Sequence, residues 1–118
     1  MFNINIEKAT IKNKHYRKVL YTDTKQQLVV MSLSPGEYIP QESHNGSQFF
    51  RIEDGNGVAS IKNKKVILKK EIVLMVPKNI KHSIKNTSKN DSLKLYSIYS
   101  PPQHPPNTLH KRQVDDKH

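Results

Sequence analysis

The chain has 118 residues, 34% hydrophobic and 25% charged, with no cysteine. That is room for one compact domain whose core must recruit most of its Ile, Leu, Val, Phe and Met side chains, and it excludes disulfides, thiolate metal sites and cysteine nucleophiles. Twenty Lys and Arg against ten Asp and Glu give a net charge of +10, but only Arg17, Arg51 and Arg112 offer the forked donors that nucleic-acid readers use, so a nucleic-acid partner is not expected.

In chain order, residues 7–17 are polar and mixed, fit for a short helix or a late-packing strand. Short runs rich in Val, Ile, Leu and Tyr follow: Lys18 to Tyr21, Gln27 to Leu33, Ser47 to Ile52, Val58 to Ile61, Lys65 to Leu68, Ile72 to Val76, His82 to Asn86 and Leu93 to Tyr99. Turn chemistry separates them, as at Ser34-Pro35-Gly36, Asn45-Gly46, Asp54-Gly55-Asn56-Gly57 and Pro77-Lys78-Asn79. No apolar residues recur at helical spacing for three turns. Short strands at close spacing predict an all-β fold, a sandwich or a single antiparallel barrel. Beyond Ser100, Pro101-Pro102-Gln103-His104-Pro105-Pro106 stops any ladder, because proline donates no amide proton. The expected organisation is a barrel domain over residues 1–100 and a Pro-rich, charged tail over 101–118, with Lys111 to His118 frayed.

Glu42 and His44 are two apart, so on an extended strand both leave the same face and can converge on one metal ion. Asn45-Gly46 then signals a hairpin reversal. Gln48 joins that face only if the loop has three residues or a bulge shifts the register, which is the expectation adopted. In the second stretch a strand ends at Pro77, a tight turn follows, and His82, Ile84 and Asn86 share a face of the next strand.

Taken together, these stretches resemble the two sequence motifs of the cupin superfamily. The first runs Gly36, five residues, Glu42-Ser43-His44, three residues, Gln48, six residues, Gly55; the second runs Glu71, five residues, Pro77-Lys78-Asn79, two residues, His82, three residues, Asn86. The family's first His is Glu42 here, its Glu is Gln48, and its glycines before each half of the second motif are Glu71 and Asn79. Asn tolerates positive φ, whereas Glu71 points to an altered turn. The ending from Leu95 to Pro102, with His104 and His110, is similar to small cupins of the mannose-6-phosphate isomerase-like type. The resemblance implies a jelly-roll barrel, a double-stranded β-helix, with a metal held by Glu42, His44, Gln48 and His82.

Two imidazoles and one carboxylate suit Zn, Mn, Fe or Ni and leave open positions for a substrate. The expected function is therefore metal-dependent action on a small polar molecule, anionic or sugar-like, through isomerase- or dioxygenase-type chemistry. A non-catalytic sugar or metabolite binder on the same fold is the alternative. Phe50 and Ile84 are the expected pocket walls. Tyr96 and Tyr99, which cannot both point inward, are the candidate catalytic groups. His15, His118, His104 and His110 read as surface or structural residues. Exposed edge strands predict a homodimer. The absence of an apolar run near the roughly 20 residues a membrane helix needs, and of a signal pattern after Met1, predicts a cytoplasmic protein without membrane contact.

Overall fold

The structure is a computed structural model that describes residues 1–116, so His118 lies outside the described residues. Helix α1 (Ile6–Lys12) precedes strands β1 (Arg17–Thr22), β2 (Gln27–Leu33), β3 (Tyr38–Glu42), β4 (Ser47–Asp54) and β5 (Asn56–Ile61). Strands β6 (Lys64–Lys69), β7 (Val73–Val76), β8 (His82–Asn86), β9 (Leu93–Ser100) and the two-residue β10 (Leu109–His110) follow, then a 3-10 turn at Gln113–Asp115. Both readings of residues 7–17 are realised in part. Asn5 caps a two-turn helix through its bond from the Lys8 N–H at 3.0 Å, with Glu7 in the first turn and Lys12 in the last, and the chain then enters β1.

Six strands pair in the order β10-β1-β2-β9-β4-β7 and four in the order β3-β8-β5-β6. The two antiparallel sheets face each other as a double-stranded β-helix barrel. Alternation decides what lies inside. In β9, Leu93, Leu95, Ser97 and Tyr99 are buried while Lys94, Tyr96 and Ile98 are half-buried, and in β4 the inward set is Gln48, Phe50 and Ile52. A thin hydrophobic complement suffices because both sheets fill one shared interior with Val29, Met31, Leu33, Ile39, Leu68 and Ile84.

Two expectations about turns are corrected. Asn45-Gly46 does not close a hairpin: β3 pairs with β8 in one sheet, whereas β4 pairs with β7 and β9 in the other. The segment 43–46 is a corner between sheets, so Gln48 faces inward through the alternation of β4 itself and not through loop length. The corner is tight, since a Cβ on Gly46 would stand 2.1 Å from the Ser100 carbonyl oxygen and 2.4 Å from Pro101 Cδ. Glu71 does not alter its turn either. It keeps φ at 75°, held there as its N–H donates to the Ile52 carbonyl at 2.9 Å, and tertiary bonding overrides the local preference for glycine.

The expected fraying of residues 111–118 does not extend over the described residues of that stretch. Gln27, fully buried, donates to the His104 carbonyl at 2.8 Å and accepts from the His104 N–H at 3.1 Å. Farther on, β10 pairs with β1, and Gln113 bonds the β3 side through Tyr38 and Glu37. The segment after Pro101 is thus a strap from one sheet to the other across one end of the barrel.

Gly46→Ala should cost about 1–3 kcal/mol of stability, the usual effect of forcing an atom into packed space. Chemical denaturation measures this, with an unchanged far-ultraviolet circular dichroism spectrum expected for the folded variant.

Candidate metal centre

Four side chains meet at the end of the interior under the strap. Glu42 ends β3, His44 follows two residues later, Gln48 lies in β4 and His82 opens β8 directly opposite Glu42. A bulge aims the carboxylate. Ile39 pairs with Ile84 but Glu42 pairs with His82, so β3 spends three steps where β8 spends two. The extra residue resets the alternation and turns both Ile39 and Glu42 inward. Pro40 fits within this interruption, where a ladder donor is not needed.

Glu42 Oε1 is 3.2 Å from His44 Nε2 and 3.9 Å from His82 Nε2, and His82 Nε2 is 3.1 Å from Gln48 Oε1. The donor atoms of Glu42, His44 and His82 all lie within 4.8 Å of one another. His82 Nδ1 donates to the Ile80 carbonyl at 2.9 Å, which leaves a lone pair on Nε2. Gln48 donates through Nε2 to Ser97 Oγ at 2.9 Å, which turns its carbonyl oxygen to that lone pair. Glu42 Oε1 and His44 Nε2 are buried with no hydrogen-bond partner among the described residues; their 3.2 Å separation is within ion-pair reach but is not aligned as a hydrogen bond.

Acceptors that converge without a proton between them repel, and a cation among them removes the conflict. Two donors each about 2.1 Å from one ion stand about 3.0 Å apart at right angles and about 3.4 Å apart at tetrahedral angles. The observed 3.1 and 3.2 Å separations match that spacing, and the 3.9 Å between Glu42 and His82 is wider than it. The residues therefore fit a divalent transition metal. Their protonation fits too. Burial pushes the Glu42 carboxyl up, but the neighbouring His44, then His82 and Arg17, outweigh it and hold its value low. Burial lowers the His82 imidazole, against the Ile80 bond and the Glu42 charge, and so favours its neutral, ligating form.

The surroundings divide the other candidates. Phe50 is fully buried with its ring 5.9 Å from that of His82, edge-on, and Ile84 lies in the core. Both support the site from beneath. Tyr99 points inward, its ring 5.2 Å from that of His44, and burial raises its hydroxyl above the ordinary value. Tyr96 points outward and packs on Phe49 at 5.9 Å. His104 and His110 are not plain surface residues. The strap folds His104 over the barrel, where its Nε2 is 3.3 Å from the Tyr99 hydroxyl. Burial first, then the Arg17 charge, pushes its imidazole down to about 4. A cavity of about 540 Å³ opens above the cluster, lined by Glu42, His44, Gln103, His104, His110 and Asp116 among others.

Sequence reasoning missed Arg17, Gln103, Thr108 and Asp116. The one available signal was parity: Arg17 and Val19 share the inward face of β1, and an arginine on an apolar face is unusual.

Comparison with known proteins agrees with the fold. The family model of the cupin domain matches residues 29–99. Uncharacterized protein L612 of Acanthamoeba polyphaga mimivirus is 42% identical over 117 residues, covering 96% of this chain and 73% of that protein. Uncharacterized protein YrkC of Bacillus subtilis is 40% identical, covering 97% of this chain but 64% of its own length. The crystal structure of BH2720 from Bacillus halodurans superposes with a TM-score of 0.92 at 34% identity, over 97% of this chain and 91% of that one. A cupin superfamily protein (DSY2733) from Desulfitobacterium hafniense shares the fold, with a TM-score of 0.70 at 22% identity over 86% and 92% of the two chains.

Phe50→Ala should lower stability by about 3–5 kcal/mol, because it opens a void under a fully packed ring. Denaturant titration reads this, and Phe50→Leu should recover most of the loss.

Proposed function

The chain belongs to the cupin family, and from that premise we propose that Glu42, His44 and His82, with Gln48 as a fourth donor, hold one divalent transition metal of the Zn, Mn, Fe or Ni kind. A small polar molecule then binds above it in the cavity under the strap. The observation that carries this reading is the convergence of the unpartnered Glu42 Oε1 and His44 Nε2 on His82 Nε2, which faces Gln48 Oε1. When bound, such an ion supplies a Lewis-acid centre with open positions, which suits isomerase- or dioxygenase-type chemistry.

The chain's own groups do the rest. Tyr99 stays protonated and offers a hydroxyl near His44 and His104. Gln103, Thr108 and His110 add polar contacts at the rim, and Phe50 and Ile84 exclude water from below. One observation favours a second reading, a small-ligand binder without turnover. A general base works best with a value near the working pH, and His104, at about 4, is a neutral hydrogen-bonding group instead.

A homodimer is also proposed. β7 is an edge strand of the six-stranded sheet and turns Val73 and Met75 outward, 46% and 60% exposed. A second copy is a natural cover for such an edge. Size-exclusion chromatography at micromolar concentration should give the dimer mass; a monomer alone would rule the pairing out.

Elemental analysis tests the metal. The purified protein should carry up to one transition metal per chain, lost to a strong chelator. His44→Ala should fall to a tenth of that or less. His82→Ala should lower metal content as far, while circular dichroism still reports a β fold. Equal metal content in all three proteins would refute the assignment.

A further inference from the structure

Arg17 has a use that neither the fold nor the metal centre explains. Its side chain is wholly buried, and its Nη1 meets Asp116 Oδ1 at 2.7 Å and His110 Nδ1 at 3.2 Å. Its Nε and Nη2 are buried with no hydrogen-bond partner among the described residues. A guanidinium does not shed its charge when buried, so unmet donors on it are costly unless something meets them. The Tyr16 ring, 5.3 Å from Cζ, covers the group without supplying an acceptor to those nitrogens. The two groups that meet its Nη1, Asp116 and His110, both line the cavity above the cluster, which places the guanidinium behind that wall.

Its partner arrives from ninety-nine positions away in the chain, on a stretch with little apolar anchorage. Leu109 is 46% and Val114 78% exposed. Around them the strap is fastened by polar contacts such as the Gln113 N–H on Glu37 Oε2 at 2.9 Å and the Tyr38 N–H on Gln113 Oε1 at 2.7 Å. Bonds of this kind exchange with water at small net cost. Asp116 also lines the same cavity as Glu42 and His44. A carboxylate thus stands at the cavity wall on a buried fork of donors, two of which it leaves unmet.

We propose that Arg17 is the anion-recognising residue of this cavity, that the ligand is a small carboxylate, and that Asp116 keeps the ligand's place until one enters. The proposal rests on the reading above only for where the ligand sits. A free carboxylate is planar and can meet two guanidinium donors at once, so it can use the donors that Asp116 does not. Entry then exchanges one carboxylate for another at Arg17 and releases residues 112–116 from the mouth. Nearby Glu42 repels a ligand with no cation to offset it, so metal and carboxylate should bind with mutual support.

The test uses malonate, its neutral diamide malonamide, and inorganic phosphate, titrated calorimetrically into wild type and Asp116→Asn. Each protein is studied metal-loaded and after chelation. Arg17 is one of three arginines, so its Nε–H resonance can be followed by nitrogen-edited NMR. Asp116→Asn should bind malonate at least tenfold more tightly than wild type, malonamide should bind neither, and malonate should shift the Arg17 Nε–H. Arg17→Lys, if it folds, should lose malonate binding. Equal malonate affinity in wild type and Asp116→Asn, no binding to either, or an unmoved Arg17 resonance would overturn the proposal, as would phosphate binding more tightly than malonate. The two readings fail separately. Without a metal site the protein carries no transition metal, yet malonate still reports the Asp116→Asn effect; without the carboxylate subsite the metal content is normal and malonate is inert.

Discussion

In an uninterrupted strand, Ile39 and Glu42 would leave opposite faces of β3, and either the core would lose an isoleucine or the site its carboxylate. The extra residue at Pro40–Gln41 resolves this by letting both point inward while β8 opposite keeps its regular alternation. Everything else in the centre follows from that one irregularity. His82 stands directly across from Glu42 because β8 is in register there. His44 approaches because the corner after β3 carries it back over the barrel end, and the Asn79 N–H fastens the His44 carbonyl at 2.7 Å. That bond ties the turn before His82 to the segment that holds His44, so the two halves of the centre cannot drift independently.

A polar cluster in a small barrel must be supported by an apolar frame that leaves it no alternative conformation. Phe50 backs the His82 ring, Tyr99 meets the edge of His44, and Ile80 fixes His82 through its carbonyl. Asn86, at the far end of β8, plays the matching part for the backbone. Its buried amide donates to the Leu33 and Asp91 carbonyls, both at 2.9 Å, and accepts from the Ser88 N–H at 2.8 Å. The strand that carries His82 is therefore pinned at both ends, by an asparagine within the β7–β8 turn and another at its exit. Hydrogen bonds of this kind contribute little net stability each, but leaving one unmet in the interior is costly, and that asymmetry is what makes the geometry single-valued.

The sequence was most readable where alternation was clean. Gln27 to Leu33 and His82 to Asn86 agree with the observed bounds, β7 starts one residue later than its expected run, and the other expected runs are extended by a residue or two. β3 was not among the runs read from apolar content because Pro40, Gln41 and Glu42 give it the composition of a loop, and the bulge that makes it useful is what hides it. Asn45-Gly46 misled for a different reason. The pair marks a change of chain direction, but whether the chain returns along its own sheet or crosses to the other depends on β8 and β9, which no local signal reports. The donor spacing survived this error, since Glu42 and His44 stay on one side of the chain either way. The strap was least readable. Its hold on Gln27, on β1 and on β3 joins residues more than seventy positions apart, and proline content alone says only that no long strand continues there.

Charge adds a last step. The +10 balance sits mainly on exposed lysines that water screens, whereas the charges that matter for the site are few and buried: Glu42 beside the imidazoles, Arg17 behind the cavity wall, Asp116 on the strap. Within this set the carboxylates and the guanidinium are one short of a closed arrangement. Arg17 still has donors to give, and Glu42 and His44 have lone pairs to share. An interior that holds surplus donors behind that wall and surplus acceptors beside it is complementary to a pair of opposite charges entering together, a cation for the acceptors and an anion for the guanidinium. The surface lysines can then raise the local concentration of the anion without fixing what it is, which leaves selection to the spacing between Arg17 and the Glu42–His44–His82 cluster.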